Sequence, residues 1–261
     1  MFGVYQEESV QMTIKIDGID TYFGGKSGSG VYQKIINQIR PHNQLIIPFL
    51  GNCGVTRNIR RSDITIGIDI SSFVVEKWKQ ADHTGIIVEN GDSIEFLESH
   101  LFYNGDTGSR TVIYADPPYP MDSRKSQKEI YENELSDDDH IKLLTNLKKQ
   151  KCDVLISTYE NDMYKDMLSE WRCITFQATT RRGLATEYLY MNYVEPTELH
   201  DYSFLGEDFR ERERIRKKIK RHTDRLMQLP ELERKAILEN LIEASSNDKN
   251  DDGVLLSKMM H

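Results

Sequence analysis

One short stretch of the sequence combines residue types that suit a single kind of chemistry. The apolar run Thr111–Ala115 is followed directly by Asp116-Pro117-Pro118-Tyr119. An amino group on an aromatic ring is a poor nucleophile, because its lone pair is delocalised into the ring. A carboxylate and a proline carbonyl can accept its two hydrogens, the prolines add no competing N–H, and the tyrosine ring can stack on the base. The stretch therefore predicts methyl transfer to an exocyclic amino group; a simple turn that closes a strand is the alternative.

The elements that must position this stretch follow from the hydrophobic periodicity. Apolar runs rich in β-branched residues alternate with helical segments, which predicts an α/β fold with a parallel sheet between helices. Only a few residues separate the last two strands, as in an antiparallel hairpin. The predicted strands are Gln44–Pro48, Ile64–Asp69, Ile86–Asn90, Thr111–Asp116, Cys152–Ser157, Cys173–Thr179 and Thr186–Val194. The predicted helices are Gly28–Arg40, Gly54–Arg61, Ser72–Ala81, Ser93–His100, Ser136–Gln150, Glu160–Trp171, Glu207–Gln228 and Glu231–Ala244.

Acidic residues recur where predicted strands end, which is where open α/β sheets bind ligands. Asp69 ends the second strand, and a carboxylate there can accept hydrogen bonds from both hydroxyls of a ribose. Asp92 follows the third strand in Asn90-Gly91-Asp92, where it can accept from the amino group of an adenine. Each acid alone could equally cap the helix that follows it. Together with Asp116, however, the three acids predict a ligand site along one edge of the sheet.

Two glycine-containing segments complete this predicted site. The turn Phe49–Gly54 follows the first strand, and its small residues let the backbone approach a ligand closely. The segment Tyr22–Gly30 precedes that strand and carries Lys26. A nucleoside-triphosphate loop requires a glycine at position 20, which is Asp20, so we reject that interpretation. A clamp on the carboxylate end of S-adenosylmethionine fits better, and a flexible surface loop is the alternative.

The overall composition bounds the class of protein. The chain has 261 residues and a formal net charge of −8. Its three cysteines form no Cys-x-x-Cys pair and its seven histidines form no ligand-spaced pair, which predicts a reduced, cytoplasmic protein without a metal site. The sequence contains neither a membrane-spanning apolar stretch nor the layout of a signal peptide at its start.

The region after the last strand has a different composition. Between Arg210 and Arg225 the sequence has nine Lys or Arg residues and three acids, which predicts a contact with phosphates. The alternative is a solvated helix with internal ion pairs. The predicted organisation is a catalytic domain over residues 1–200, a partly basic helical appendage over 201–245 and a disordered tail over 246–261.

The motifs and their order resemble those of the Dam-like, D12-class (phage-type) DNA adenine-N6 methyltransferases. The resemblance covers about residues 22–195. Its motifs are Phe23–Lys26, Pro48–Gly54, Asp69, Asn90–Asp92, Asp116–Tyr119, Val154–Tyr159, Thr179–Gly183 and Thr186–Asn192. The resemblance implies the Rossmann-like fold of S-adenosylmethionine-dependent methyltransferases, with a seven-stranded, mostly parallel sheet that ends in an antiparallel hairpin.

The resemblance also implies a cofactor, a partner and residue roles. The cofactor is S-adenosyl-L-methionine, the partner is double-stranded DNA with the target adenine flipped out, and no metal is needed. The residues implied to hold the adenine are Asp116, Pro117, Pro118 and Tyr119. Those implied to surround the donor are Tyr22, Gly24, Gly25, Lys26, Phe49, Gly51, Asn52, Gly54, Asp69, Ile70, Asp92 and Ser93.

The means of DNA recognition departs from the family pattern. Only about twenty residues separate Asp92 from Asp116, where Dam-like enzymes insert a target-recognition domain. The predicted DNA-binding residues are therefore basic ones elsewhere, namely Arg124, Lys125, Lys128, Arg181, Arg182, Arg216, Lys217, Lys220 and Arg221. Two further interpretations stay open: methylation of an RNA base, including guanine N2, and a non-catalytic nucleic-acid-binding partner that retains the fold.

Overall fold

The computed structural model describes residues 15–16, 18, 30–81, 85–105, 110–124, 133–180 and 183–259, without the side chains of residues 180 and 246–259. The chain divides into two compact units, Met1–Leu205 and Gly206–His261. The assignment of catalysis to the first unit and of an appended function to the second stays a prediction.

The first unit is built on one seven-stranded sheet with the order β3-β2-β1-β4-β5-β7-β6. Neighbours among β1 to β5 are parallel, whereas β7 runs antiparallel to both β5 and β6. The strands are β1 (Gln44–Pro48), β2 (Ile64–Asp69), β3 (Ile87–Asn90), β4 (Thr111–Ala115), β5 (Asp153–Tyr159), β6 (Arg172–Thr180) and β7 (Gly183–Met191). The predicted fold class, an α/β fold with a seven-stranded, mostly parallel sheet that ends in an antiparallel hairpin, is confirmed.

Helices cover both faces of this sheet. Successive residues of a strand point to opposite faces, so Leu45 and Ile47 join one buried cluster while Ile46 joins the other. Val112 and Ile113 divide in the same way in β4. The helices are α1 (Val31–Ile36), α2 (Gly54–Asn58), α3 (Ser72–Gln80), α4 (Ser93–Ser99), α5 (Asp137–Lys149) and α6 (Asp162–Met167). Burial on both faces explains why the central strands are almost continuously apolar.

The second unit contains two helices, α7 (Phe209–Met227) and α8 (Glu231–Met259). Asp208 caps α7 by accepting a hydrogen bond from the Glu211 amide at 2.8 Å. The sequence predicts a helix that ends at Ala244 and a disordered tail, but the backbone is helical to Met259. No proline interrupts residues 245–259, so a helix can continue through this polar stretch.

Two stacked histidines join the segment after β7 to the start of β1. The rings of His42 and His200 lie 3.8 Å apart at an interplanar angle of 24°. His42 contacts the Ser62 hydroxyl at 2.8 Å, and His200 contacts the Arg60 carbonyl at 2.9 Å. Burial, followed by the neighbouring His200, lowers the pKa of His42 to about 3, and burial likewise lowers the pKa of His200. Both imidazoles are therefore neutral in the folded protein at neutral pH.

We expect this stack to make the protein acid-sensitive. Below a pH of about 6.5 the unfolded chain takes up protons that folded His42 does not. The stability that neutral His42 contributes is therefore fully present above pH 6.5. Between pH 6.5 and the folded pKa of His42, the free energy of unfolding falls by about 1.4 kcal/mol for each unit by which the pH drops. Urea unfolding between pH 7.5 and pH 5 measures the slope, and His42→Gln should flatten it. Equal slopes in the wild type and the variant would contradict the prediction.

Candidate active site

The predicted site lies where the strand order changes direction. The strand β1 pairs with β2 on one side and with β4 on the other, so the carboxyl ends of β1 and β4 are neighbours. In α/β sheets such a switch point opens a crevice for a ligand. The turn Phe49–Gly54 leaves β1 there, and Asp116-Pro117-Pro118-Tyr119 leaves β4. The fold therefore brings together two segments that lie about sixty residues apart in the sequence.

The residues of the Asp116–Tyr119 motif contact each other directly. The Tyr119 hydroxyl donates a hydrogen bond to Asp116 Oδ1 at 3.0 Å. The Tyr119 ring packs against that of Tyr159, at the end of β5, with centroids 4.4 Å apart and an interplanar angle of 69°. Tyr119 is only 5% exposed, so in this conformation its ring is covered instead of presenting the open stacking surface that the sequence predicts. Stacking a base on it requires a rearrangement around the ring.

The Asp116 carboxylate lies close enough to two buried tyrosines for its negative charge to raise their pKa. Burial first, and the negative charge of Asp116 second, raise the pKa of Tyr114 well above its ordinary value. The same two causes raise the pKa of Tyr164. Tyr114 is fully buried in β4, with its hydroxyl 3.1 Å from Ser157 Oγ of β5. Because charges interact strongly in such low-dielectric surroundings, a carboxylate here is well placed to act on a polar group beside it.

The turn after β1 is fixed by three groups from other elements. Phe49 adopts a left-handed backbone with φ of 64°, uncommon for a residue with a side chain, and its amide donates to Ser93 Oγ at 3.1 Å. The Gly51 amide donates to Asp69 Oδ2 at 2.7 Å, and its carbonyl accepts from the Trp78 indole at 2.7 Å. With φ of 44°, Gly51 occupies a conformation that favours glycine. These hydrogen bonds therefore hold the turn in one conformation.

Asp69 is buried and links two segments of the predicted donor site. Its second oxygen, Oδ1, accepts from the Ser71 amide at 2.9 Å. Burial raises the pKa of Asp69, and the hydrogen bonds from Gly51 and Ser71 only partly oppose this shift. The geometry adds a role that the sequence does not indicate, since the carboxylate fixes the turn at Gly51. Its predicted contact with a ribose stays a prediction.

The third acid, Asp92, caps a helix. Its Oδ1 accepts from the amides of Ile94 and Glu95 at 2.7 and 3.2 Å, so the capping alternative is realised in α4. The side chain is exposed, and its predicted contact with the donor adenine stays a prediction. Asn90 lies between these acids, and its amide donates to the carbonyls of Asp69 and Ile70 at 2.9 and 3.0 Å.

Other residues predicted to surround the methyl donor form hydrogen bonds within the protein. The Asn52 side chain accepts from Arg57 at 2.6 Å, and Gly54 starts α2 and accepts from the Asn58 side chain at 2.8 Å. Ile70 is 51% exposed beside Asn90, leaving an apolar surface next to Asp69. No pattern in the sequence points to Trp78, and the Asn90–Asp92 motif does not indicate that the Asn90 side chain binds the carbonyls at the end of β2.

Several predicted site residues cannot be placed. Tyr22, Gly24, Gly25 and Lys26 of the predicted donor clamp lie outside the described residues. So do Lys125, Lys128, Arg181 and Arg182, for which the sequence predicts contact with DNA. Among the residues that the structure does describe, no cluster of His, Cys, Asp and Glu could hold a metal ion, and no helix is long and apolar enough to span a membrane.

Arg124, a predicted DNA-binding residue, forms a largely buried ion pair. Its side chain is only 5% exposed and binds Glu134 with both terminal nitrogens, at 2.8 and 2.6 Å. It also donates to the main-chain carbonyl of Tyr119. The structure thus gives this guanidinium partners within the protein, and its predicted contact with DNA stays a prediction.

The other predicted DNA-binding residues lie on α7, all of them exposed. Arg216 pairs with Glu213 at 2.6 Å, and Lys220 pairs with Asp224 at 3.2 Å. Within the described part of the chain, Lys217 and Arg221 have no ion pair. The alternative of a solvated helix with internal ion pairs is thus seen at two of the four positions, while the other two present their charge to solvent.

Solved structures similar to this chain include three methyltransferases. A rRNA methylase from Streptococcus thermophilus is 9% identical, with 62% of this chain and 94% of that chain covered and a TM-score of 0.41. The magnesium protoporphyrin IX methyltransferase of Synechocystis PCC 6803 with bound S-adenosylmethionine is 9% identical, with coverage of 62% and 75% and a TM-score of 0.40. The tRNA (uracil-54, C5)-methyltransferase of Pyrococcus abyssi with S-adenosyl-L-homocysteine is 9% identical, with coverage of 62% and 37% and a TM-score of 0.41. Similarities of this size say nothing about the substrate of this chain.

Comparison with a family model is more specific. No curated protein matches the sequence. The matched family segment begins at β3 and ends after β6, so it contains the Asp116–Tyr119 motif and β5. The predicted resemblance is therefore confirmed for this segment: residues 87–182 match the model of the D12 class N6 adenine-specific DNA methyltransferases.

Proposed function

We propose that this chain is an S-adenosylmethionine-dependent methyltransferase that modifies the N6 amino group of adenine in DNA. The observation that carries the proposal is the Asp116–Tyr119 motif at the switch point of the sheet, within the segment that matches the D12 family. The adjacent turn Phe49–Gly54, fixed by Asp69 and Ser93, supports a neighbouring site for the methyl donor.

The proposed reaction uses the motif to activate a weak nucleophile. The Asp116 carboxylate and the Pro117 carbonyl accept the two N–H hydrogens of a flipped adenine, which localises the nitrogen lone pair toward the donor. A carbon–nitrogen bond forms as the carbon–sulfur bond of the sulfonium breaks, and the demethylated donor leaves as a neutral thioether. The methylated nitrogen then loses one proton to Asp116 or to water. Alignment of nitrogen, methyl and sulfur supplies much of the acceleration.

Transfer of a radioactive methyl group tests this proposal and its competitors together. Purified protein is incubated with labelled S-adenosylmethionine and either duplex DNA or RNA, and the labelled nucleosides are identified. We expect label in DNA as N6-methyladenine. Label in an RNA base would replace the DNA substrate by the RNA alternative. Donor binding without transfer to either polymer would favour a non-catalytic protein.

The exposed basic face of α7 is our proposed binding surface for phosphates. We expect glutamine at Arg216, Lys217, Lys220 and Arg221 to weaken DNA binding for all sequences alike. The dependence of binding on salt should flatten by roughly one unit of slope for each phosphate that the variant no longer binds. Fluorescence anisotropy at several salt concentrations measures both quantities.

A control variant carries the same change of charge elsewhere. Glutamine replaces four exposed lysines of α3 and α5, namely Lys79, Lys142, Lys148 and Lys149. This control should leave the slope much closer to that of the wild type. If the α7 variant keeps the wild-type slope but melts earlier or changes its oligomeric state, α7 serves packing and not DNA binding.

A further inference from the structure

A buried ion pair between Arg124 and Glu134 contacts the main chain of the Asp116–Tyr119 motif. Arg124 follows a short 3-10 helix, Met121–Ser123, and turns its guanidinium back toward the motif. One terminal nitrogen donates to Glu134 Oε1 at 2.8 Å, and the other donates to Glu134 Oε2 at 2.6 Å. The second nitrogen also donates to the Tyr119 carbonyl. One guanidinium therefore connects Glu134 to the main chain of the motif.

Such a pair is costly to bury, which makes its position informative. Removing two charges from water is repaid only where the geometry is good and further hydrogen bonds are made. The side chains of Arg124 and Glu134 are 5% and 16% exposed, respectively. The planar guanidinium can meet a carboxylate with two parallel bonds and still reach a carbonyl, which a lysine cannot do. The arrangement thus depends on arginine specifically.

Other bonds fix the segment that carries Arg124. Ser123 Oγ donates to the Pro120 carbonyl at 2.6 Å, and the Asn161 side chain donates to Asp122 Oδ1 at 2.9 Å. Asn161 is itself the cap of α6, accepting from the Tyr164 amide at 3.1 Å. Of these ties, the bond from Arg124 is the one that ends on the motif itself. The segment is thereby anchored to α6, and Arg124 extends that anchoring to Tyr119.

We propose that Arg124 is a positioning residue that, with Glu134, sets the place of Tyr119 and through it the Asp116 carboxylate. The link to Asp116 is the hydrogen bond from the Tyr119 hydroxyl at 3.0 Å. This inference rests on the proposed methyl transfer for its kinetic effect, but the geometry it concerns exists without substrate. A misplacement of about 1 Å at a reacting centre can lower a rate about 100-fold, so the loss of this support should be visible in kcat.

Four variants test the proposal. Arg124→Gln removes the charge and the forked pair of donors. Glu134→Gln keeps the shape of the side chain, removes its charge and replaces one of its two acceptor oxygens with an NH2 group that can only donate. Arg124→Met combined with Glu134→Leu replaces both charges with apolar groups, a change that buried ion pairs often tolerate without loss of stability. Lys142→Gln is the control, because it removes an exposed charge that pairs only loosely with Asp139 at 3.9 Å.

Three readouts separate positioning from DNA binding and from simple stability. The first is the split between kcat and KM for DNA, and the second is the slope of DNA binding against salt. The third is the fluorine NMR resonance of Tyr119 in fluorotyrosine-labelled protein without DNA, assigned by its absence in Tyr119→Phe. Because this third readout needs no turnover, it tests whether Arg124 and Glu134 position Tyr119 even if the wild type methylates neither DNA nor RNA. The absence of methylation would overturn only the proposed function.

The proposal predicts a specific pattern. Arg124→Gln and the apolar double variant should lose about 100-fold in kcat with KM, donor affinity and salt slope nearly unchanged. Glu134→Gln should lose about tenfold, and the Tyr119 resonance should shift in all three. If Arg124→Gln does not fold, the double variant decides. A wild-type kcat and an unshifted resonance in the double variant would overturn the proposal, as would a salt slope flattened by about one unit in Arg124→Gln with kcat retained.

Discussion

Replacing Asp116 with alanine should lower the rate of methyl transfer by about 1,000-fold or more, a size typical of losing a preorganised charged group at a reacting centre. The physical reason is that Asp116 is proposed to hold the amino group in the transition state, where the nitrogen gains positive charge. Affinity for S-adenosylmethionine should stay within a few-fold, since the donor site is proposed to lie beside β1 and β2. Single-turnover transfer to duplex DNA and calorimetric titration of the donor measure the two effects.

A matched control removes a carboxylate elsewhere, which separates the effect of losing Asp116 from that of changing the net charge. Asp138 is an exposed acid in the first turn of α5, and Asp138→Ala should keep wild-type activity. Tyr119→Phe removes the hydroxyl that donates to Asp116 and should cost roughly 10- to 100-fold, in line with the loss of one hydrogen bond to a charged group. If Asp116→Ala retained more than about a tenth of the wild-type rate, the role of Asp116 would be wrong.

Replacing Asp69 with alanine should act in the opposite sense, on donor binding. Losing a charged acceptor for the ribose is expected to cost about 1.5–3 kcal/mol, or roughly 10- to 100-fold in affinity. The structure adds a second consequence, because the amides of Gly51 and Ser71 lose their acceptor. The protein should therefore also melt earlier, since an unsatisfied buried donor costs about 1–3 kcal/mol.

The two consequences of this substitution can be separated. Asp208→Ala also removes an acid that accepts from a backbone amide, at the start of α7, and should lower stability without changing donor affinity. Isothermal titration of both variants with S-adenosylmethionine makes the comparison. If Asp69→Ala melted earlier but bound the donor as tightly as the wild type, Asp69 would serve only to fix the turn after β1.

The parts of the fold that the sequence predicts are those governed by local patterns. The bounds of β1 and β2 agree with prediction because both segments are rich in β-branched residues and are followed by turns. The hairpin extends further toward its turn than predicted, with pairing up to Thr180↔Gly183, whereas β7 ends at Met191, three residues before its predicted end. Gln177 and Thr186, which lie inside the predicted strands, bond to each other across the hairpin at 2.9 Å. The helix α1 is shorter than predicted, starting at Val31.

The candidate site shows the same division between local and distant information. Three acids at strand ends are visible in the sequence, and the fold places them at the carboxyl ends of β2, β3 and β4, one of them as the cap of α4. The hydrogen-bond partners of the site residues are not visible in the sequence, because they lie far along the chain. Asp69 bonds to Gly51 across 18 positions, and Arg124 bonds to Glu134 across ten. A basic residue near a motif is equally compatible with DNA binding and with a buried ion pair. For Arg124 the ion pair with Glu134 is seen only in the three-dimensional arrangement.

The most direct test of the account is the identity of the methylated nucleoside. Duplex DNA that lacks methylation is incubated with purified protein and S-adenosylmethionine carrying a deuterated methyl group, and its nucleosides are analysed by mass spectrometry. We expect deuterated N6-methyldeoxyadenosine with the wild type and at least about 1,000-fold less with Asp116→Ala. The absence of labelled N6-methyldeoxyadenosine with the wild type, or an equal yield from Asp116→Ala, would contradict it.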